Sequence, residues 1–377
     1  MKKVLFAESD KEFVDVLFSF LIMPLGTIVR VLGKQSQMGC LDEVYKSVED
    51  LSADFFQTKA CKAMLLKPLN AASRHCRRLK INVDDTKPRA VYVCKDTSCC
   101  AHGDGAFSSF PDAVCRCGKA MEYVGDALDE GDLALTGGAR EIISLLKRSL
   151  MSKQPLTGLY FDYTITNDDA DVYVLPEKQN DADQKLNIEK IKVLQTKNNS
   201  LLYVEGDAEF VDLLFGLLSI PLGSIIKAFG QWPPSGCVDN LWKSIDHGSG
   251  EGSVRPECQS LLLSPMAAPF GSGAAKVLEV DELAPTLDVN CCFKCFKTCG
   301  FAETGRCRQQ YYCGEMVKTT KLCELNPKAP KGGNGNGETY VKGGHMKFLV
   351  TDDLHVLPLL INHSTSSLRC KCSDRGA

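Results

Sequence analysis

Histidine is scarce in this chain, six among 377 residues, and tryptophan is scarcer, with two. That leaves little material for His-based triads or metal-hydrolase motifs. Basic residues are not in excess either: 44 Lys and Arg stand against 47 Asp and Glu, a net charge of -3. Nucleic acids and anionic membranes require clustered positive charge, so neither is an expected partner. The one dense basic stretch, "SRHCRRLK" at 73–80, reads as a solvated face. Long apolar runs are missing too. The longest, Phe13 to Met23, is interrupted by Asp15 and too short to cross a bilayer, and Met1, Lys2 and Lys3 lead into a strand-like segment with no signal-peptide core. These absences predict an intracellular protein that is neither secreted nor membrane-bound. The two sequons, at Asn198 and Asn362, then carry no weight.

What is present in quantity is cysteine, at 19 residues, and internal repetition. "EFVDVLF" at 12–18 returns as "EFVDLLF" at 209–215. Displacing the chain by 197 positions, Phe13 onto Phe210, aligns "VLFAESDKEFVDVLFSFLIMPLGTIV" with "LLYVEGDAEFVDLLFGLLSIPLGSII" without a gap, and Cys61 still falls on Cys258. So long a period means a duplicated domain rather than a solenoid repeat. The length accommodates two domains, each with its own core.

Each copy reads as an opening strand, then a helix capped by Ser9 with Glu12 three residues on. Phe13, Val14, Leu17, Phe18 and Leu21, with Phe210, Val211, Leu214, Phe215 and Leu218, recur at helical period and predict a face packed on a core. Pro24 and Gly26, with Pro221 and Gly223, are expected to stop that helix, and Gly33 or Gly230 a second short one. The carboxylates Glu8, Asp10, Glu12 and Asp15 suit a first helical turn, where free N–H groups and the helix dipole favour negative charge. A further helix is expected over 139–151, with Ile142, Leu145 and Leu146 on one face.

Inside a cell, thiols stay reduced, so the cysteines are read as metal ligands or buried apolar residues. Isolated Cys40, Cys61, Cys237 and Cys258 fit burial. Two clusters, "CKDTSCC" with "CRCGKAM" and "CCFKCFKTC" with "CRQQYYCGEM", instead have the form of paired knuckles. Tetrahedral zinc takes four thiolates or imidazoles, delivered as close pairs on tight turns, and the glycines after Cys117 and Cys313, Gly118 and Gly314, suit such a turn. The candidate ligands are Cys94, Cys99, Cys115 and Cys117 in the first copy, and Cys295, Cys299, Cys307 and Cys313 in the second. Their spacings depart from the common C-x2-C pairs, so Cys100, His102, Cys291 and Cys292 remain substitutes, and reduced buried thiols remain the alternative. Zinc is the cofactor these residues would take.

The polar, acidic stretch at 166–185 reads as a linker between domains at 1–165 and 186–377. The Gly-rich 327–338 lacks the Lys-Ser/Thr ending of a phosphate-binding loop and reads as a flexible loop.

Taken together, the repeat, "LLSIPLGSII", the knuckles ending in C-G-x-M and "MKFLVTDDLHVLPL" at 346–359 resemble a plant-specific family called domain of unknown function 674. The resemblance implies tandem α+β domains, each a small sheet with packed helices and a cysteine-rich, zinc-ribbon-like insert. It implies no known reaction. It also exposes a difference between the copies. The second keeps a strand before its opening one, in "LNIEKIKVLQTKNN", and the "MKFLVTDDL" segment; the first has no obvious counterpart of either but keeps the helix "AREIISLLKRSL". The repeated residues are those of cores, caps and turns, which favours a binding or scaffolding protein with a protein partner. The alternatives are an enzyme with a pocket between the copies and a zinc-ribbon nucleic-acid-binding protein.

Overall fold

The computed structural model describes residues 3–72, 90–94, 106–126, 139–161, 192–195, 201–230, 236–246, 254–271, 273–284, 286–292, 297–298, 318–329, 339–344 and 346–359. The expected linker at 166–185, the basic stretch at 73–80 and most of the Gly-rich loop lie outside these residues. The first copy contributes α1 (Lys11–Ser19), α2 (Leu25–Val31), α3 (Leu41–Asp50), α4 (Lys59–Leu66), β1 (Ala90–Cys94), β2 (Ala106–Ser108), β3 (Met121–Asp126), α5 (Ala139–Met151) and α6 (Pro155–Phe161). The second contributes β4 (Lys192–Gln195), β5 (Leu201–Gly206), α7 (Ala208–Gly216), α8 (Leu222–Phe229), α9 (Asp239–Asp246), α10 (Pro256–Leu263), α11 (Gly273–Val277), β6 (Thr286–Cys292), β7 (Lys297–Thr298), β8 (Lys318–Glu324), β9 (Lys347–Val350) and β10 (Val356–Leu359). The architecture is α+β, and its repeat is structural: α1 and α7, like α4 and α10, begin and end at positions 197 apart.

Local chemistry explains the matching ends. Asp10 accepts a hydrogen bond from the Phe13 amide at 2.9 Å, and Asp207 does the same for Phe210 at 2.9 Å. The expected cap was Ser9; the aspartate one residue later takes the role because its carboxylate reaches the third helical amide. A 3-10 turn extends each helix, over Phe20–Ile22 and Leu217–Ser219. Pro24 and Pro221 then open α2 and α8 as their N-cap residues, so Gly26 and Gly223 lie inside helices and do not terminate them. Gly33 and Gly230 do end the second helices, with φ of +67° and +75°.

The copies meet about those prolines. Leu25 donates its amide to the Ile220 carbonyl at 2.9 Å, and Leu222 donates to Met23 at 2.9 Å. Both donors and both acceptors are 197 positions apart, so the contact is an internal, isologous one. Around it the apolar faces pack across the repeat. One core joins Val44, Val48, Phe56 and Leu65 of the first copy to Val211, Phe215, Tyr340, Phe348 and Val350 of the second. The other joins Val16, Phe20, Ile28, Ile142, Leu146 and Leu150 to Leu222, Ile226, Val238, Ile245 and Leu262. Among the described residues, both of these cores are built from both copies.

Among the described residues, two sheets complete the fold. A six-stranded sheet has the order β3-β1-β2-β8-β6-β7. It is two antiparallel units, one from each copy, joined by the parallel pair β2 and β8 through Ala106 with Cys323 and Phe107 with Glu324. The other sheet, β10-β9-β5-β4, is antiparallel and belongs to the second copy.

The opening strand expected in the first copy is not formed. Residues 3–10 have no ladder partner, whereas their equivalents in β5 lie between β4 and β9. A strand needs neighbours to pair its backbone groups, and among the described residues the first copy supplies none at this place. Leu5 and Phe6 are consequently 87% and 82% exposed.

Candidate metal centre

The knuckle of the first copy is built by a tight turn after Val114. Cys115 donates its amide to Lys119 O at 2.9 Å, and Gly118 donates back to Cys115 O at 2.8 Å. Gly118 has φ +82°, a left-handed conformation that a side chain resists. This agrees with the role the sequence assigned to it. The turn carries Cys115 and Cys117 to the end of β1, where Cys94 is the last residue.

There the three sulfurs converge. Those of Cys94, Cys115 and Cys117 lie within 4.8 Å of one another, and Cys94 Sγ is 3.5 Å from Cys117 Sγ. Ligands about 2.3 Å from a tetrahedral zinc sit roughly 3.8 Å apart, so the spacing fits a shared ion. Three thiolates are also the soft donor set that zinc accepts. Cys94 and Cys115 are buried, and Cys117 faces solvent. Ala113, Met121 and Leu325 back the site, the last from the second copy.

Of the predicted ligands, the structure therefore brings together Cys94, Cys115 and Cys117. Cys99 lies outside the described residues, as do the substitutes Cys100 and His102. So do Cys295, Cys299, Cys307 and Cys313 of the second cluster. Cys291 and Cys292 have their backbone on β6. Among the isolated cysteines only Cys61 is buried; Cys40, Cys237 and Cys258 are half-buried.

Two polar groupings escaped the sequence reading. The first surrounds Lys328, whose ammonium is buried, donates to Gly271 O at 2.6 Å and sits 3.8 Å from the centre of the Tyr340 ring. Asp212 Oδ1 is 3.9 Å from that ammonium and accepts the Tyr340 amide at 2.9 Å, while its Oδ2 accepts from Gly273 N at 3.1 Å. Burial lowers the Lys328 pKa against the opposing pull of Asp212, and burial raises the Tyr340 hydroxyl well above its ordinary range. The group ties the chain near 328 and 340 to α7. Asp15, the counterpart of Asp212 in the other heptapeptide, is exposed. No spacing rule could have revealed this, because Asp212 and Tyr340 are 128 positions apart.

The second grouping has the composition of a triad. His355 Nδ1 lies 3.2 Å from Ser47 Oγ and 3.8 Å from Glu43 Oε2. A triad needs one imidazole nitrogen for the serine and the other for the acid, but here the same nitrogen faces both. Ser47 Oγ also accepts the Val356 amide at 2.8 Å and contacts Glu43 O at 2.8 Å. It fastens β10 to α3, again across the repeat. At Pro24 and Pro221 the backbones of the two copies touch.

The chain matches the model of the family described as protein of unknown function (DUF674), over residues 1–135 and 126–373. It belongs to that family. Two matches are what a tandem arrangement gives, in keeping with the 197-residue repeat. No curated protein and no solved structure matches the chain. Among the described residues of this DUF674 member, no helix is long and apolar enough to cross a membrane.

Proposed function

We propose that this DUF674 protein is a non-enzymatic intracellular binding or scaffolding protein, with a structural zinc ion that fixes the end of its shared sheet. The observation that carries the metal assignment is the convergence of Cys94, Cys115 and Cys117 within 4.8 Å on a turn that positive φ at Gly118 makes tight. Thiolates inside a protein need a compensating cation, and a tetrahedral site takes a fourth ligand, which we assign to Cys99. The second cluster, Cys295, Cys299, Cys307 and Cys313, is assigned the same role by its comparable place in the second copy.

The binding role is supported by what the repeated residues do. Asp10, Pro24 and Gly26, with Asp207, Pro221 and Gly223, serve caps and the contact between copies, and the two knuckle-bearing units share one sheet. Residues spent on caps and on joining the copies suit a protein that presents a surface to a partner. A net charge of -3 favours a protein partner over nucleic acid.

Elemental analysis of reduced, purified protein tests the metal. About one to two zinc ions per chain are expected, with Cys117→Ser lowering both metal content and stability. Metal-free protein whose melting is unchanged by a strong chelator would leave the thiols as ordinary reduced cysteines.

A further inference from the structure

We infer that residues 4–9 form an incomplete sheet edge that takes an extended, alternately apolar strand from a partner polypeptide, docked antiparallel as β9 docks on β5. The pattern for the missing strand is inside the molecule. Residues 4–9 are equivalent, at the 197 spacing, to β5, and β5 pairs with β9 through Val204 with Val350, Glu205 with Leu349 and Gly206 with Phe348. Phe348 and Val350 then cover α7, leaving Val211 and Phe215 wholly buried. In the first copy the equivalent Val14 and Phe18 on α1 are only half-buried. The equivalent positions are fully covered in one copy and only partly in the other.

The open place is marked by the most exposed large apolar residues among those described: Leu5, Phe6 and Tyr160, at 87%, 82% and 78%. The Val4 amide donates to Thr157 Oγ1 at 3.0 Å, which ties the start of the segment to α6, and Tyr160 stands one turn beyond Thr157 on that helix. An exposed segment outside any ladder, with apolar side chains, is what strand addition uses: the ladder supplies affinity, and alternate side chains supply specificity. The chemistry of β9 defines the occupant. It is a short strand whose alternate residues are large and apolar, as Phe348 and Val350 are, and whose intervening residues tolerate solvent.

This inference shares with the proposed function only the premise of a polypeptide partner. Removing zinc through Cys117→Ser leaves it intact, so the two fail separately. The test uses the full chain and a synthetic peptide with the sequence of residues 343–353, "GGHMKFLVTDD". Saturable binding is expected by fluorescence anisotropy, with new hydrogen-exchange protection confined to amides in 4–9. Ala7→Asp, at an exposed site equivalent to Val204 and so opposite the place that Val350 takes, should weaken binding by about tenfold or more, since a charge cannot be covered by the apolar strand. A peptide with Asp at the positions of Phe348 and Val350 should not bind. Binding that Ala7→Asp leaves unchanged, or protection that falls on β5, would overturn the inference. So would self-association abolished by Ala7→Asp without peptide binding, because the occupant would then be a second copy.

Discussion

Gly26 and Gly223 perform the same task from opposite sides of one contact. A β-carbon on Gly26 would stand 3.0 Å from the carbonyl oxygen of Leu218, and one on Gly223 would stand 2.9 Å from that of Leu21. Leu21 and Leu218 are themselves equivalent by the repeat. The pairing explains why both copies write "PLG" before their second helix: glycine permits the backbones to approach closely enough for the reciprocal bonds of Leu25 and Leu222.

Gly223→Ala should accordingly destabilise the protein. Alanine gains up to about 1 kcal/mol in a helix. Here the obstructing atom is backbone and cannot swing away, so overpacking of about 1 to 3 kcal/mol outweighs the gain. Gly26→Ala, with its contacts slightly longer, should lose less. Chemical denaturation of both variants measures this, and a gain in stability for Gly223→Ala would mean that the contact yields.

Asp212 and Asp15 occupy the same place in the repeated heptapeptide but should respond differently to substitution. Asp212→Ala leaves the buried ammonium of Lys328 without its carboxylate and removes the acceptor of two amides, at a cost of about 3 to 5 kcal/mol. Asp15→Ala, on an exposed helix face, should stay within about 0.5 kcal/mol. Equal effects in denaturant titrations would mean that the Lys328 cluster is not intact in solution.

That contrast shows where sequence reasoning stops. Helical period placed Phe13 and Phe210 on core-facing helices and set 139–151 as a helix, because those patterns are local and their physics repeats every few residues. Gly118 was legible as a turn residue for the same reason. The pairing of copies was not, since Leu21 looks equally suited to packing on its own copy or on the other. Nor was the opening strand: "VLFAES" has the composition of β5, but composition cannot supply a neighbour. The three-sulfur group was legible as knuckles, whereas its join to the second copy through β2 and β8 depends on contacts remote in sequence.

Leu146 is wholly buried on α5, in the core it shares with Val238 and Leu262 of the other copy. Leu146→Ala should cost about 2 to 5 kcal/mol. The Ser149 carbonyl accepts amides from Cys237 at 2.8 Å and Val238 at 3.0 Å, so the loss should loosen the second copy too. Hydrogen exchange in α9 should rise in this variant. Faster exchange limited to α5 would make the helix a local appendage.

Gly118 separates the geometry of the knuckle from its ligands. No atom lies within 4 Å of where its β-carbon would be, so Gly118→Ala meets no clash and only the cost of φ +82°, about 1 kcal/mol or more. All three cysteines remain, yet zinc retention against a competing chelator should weaken by roughly fivefold to tenfold. Gly118→Asn should retain more metal than Gly118→Ala, since asparagine tolerates the left-handed region. Identical retention in all three proteins would remove the turn from the account of the site.

Cys237 gives a pH dependence with a fixed sign. Burial first, and Asp239 second, push its thiol up to about 11 from an ordinary value of 9.0. A thiol whose pKa is raised by folding holds its proton longer in the folded chain, so the unfolded state ionises first as pH rises. Below pH 9.0 both states are protonated and the residue contributes no pH dependence; between 9.0 and about 11 stability is lost, by no more than about 2 kcal/mol. Lys328, lowered by burial, and Tyr340, raised by burial, add pH dependences of their own, so the comparison must be with Cys237→Ala, which keeps them. The wild-type protein should lose stability relative to that variant as pH rises through this window, and the gap should be constant below it. Iodoacetamide should also alkylate Cys237 far more slowly at pH 9 in the folded chain than in denaturant, because only the thiolate reacts. Parallel stability curves for the two proteins up to pH 11 would show that the thiol is solvated, and that the close approach of α5 to residues 237 and 238 opens in solution.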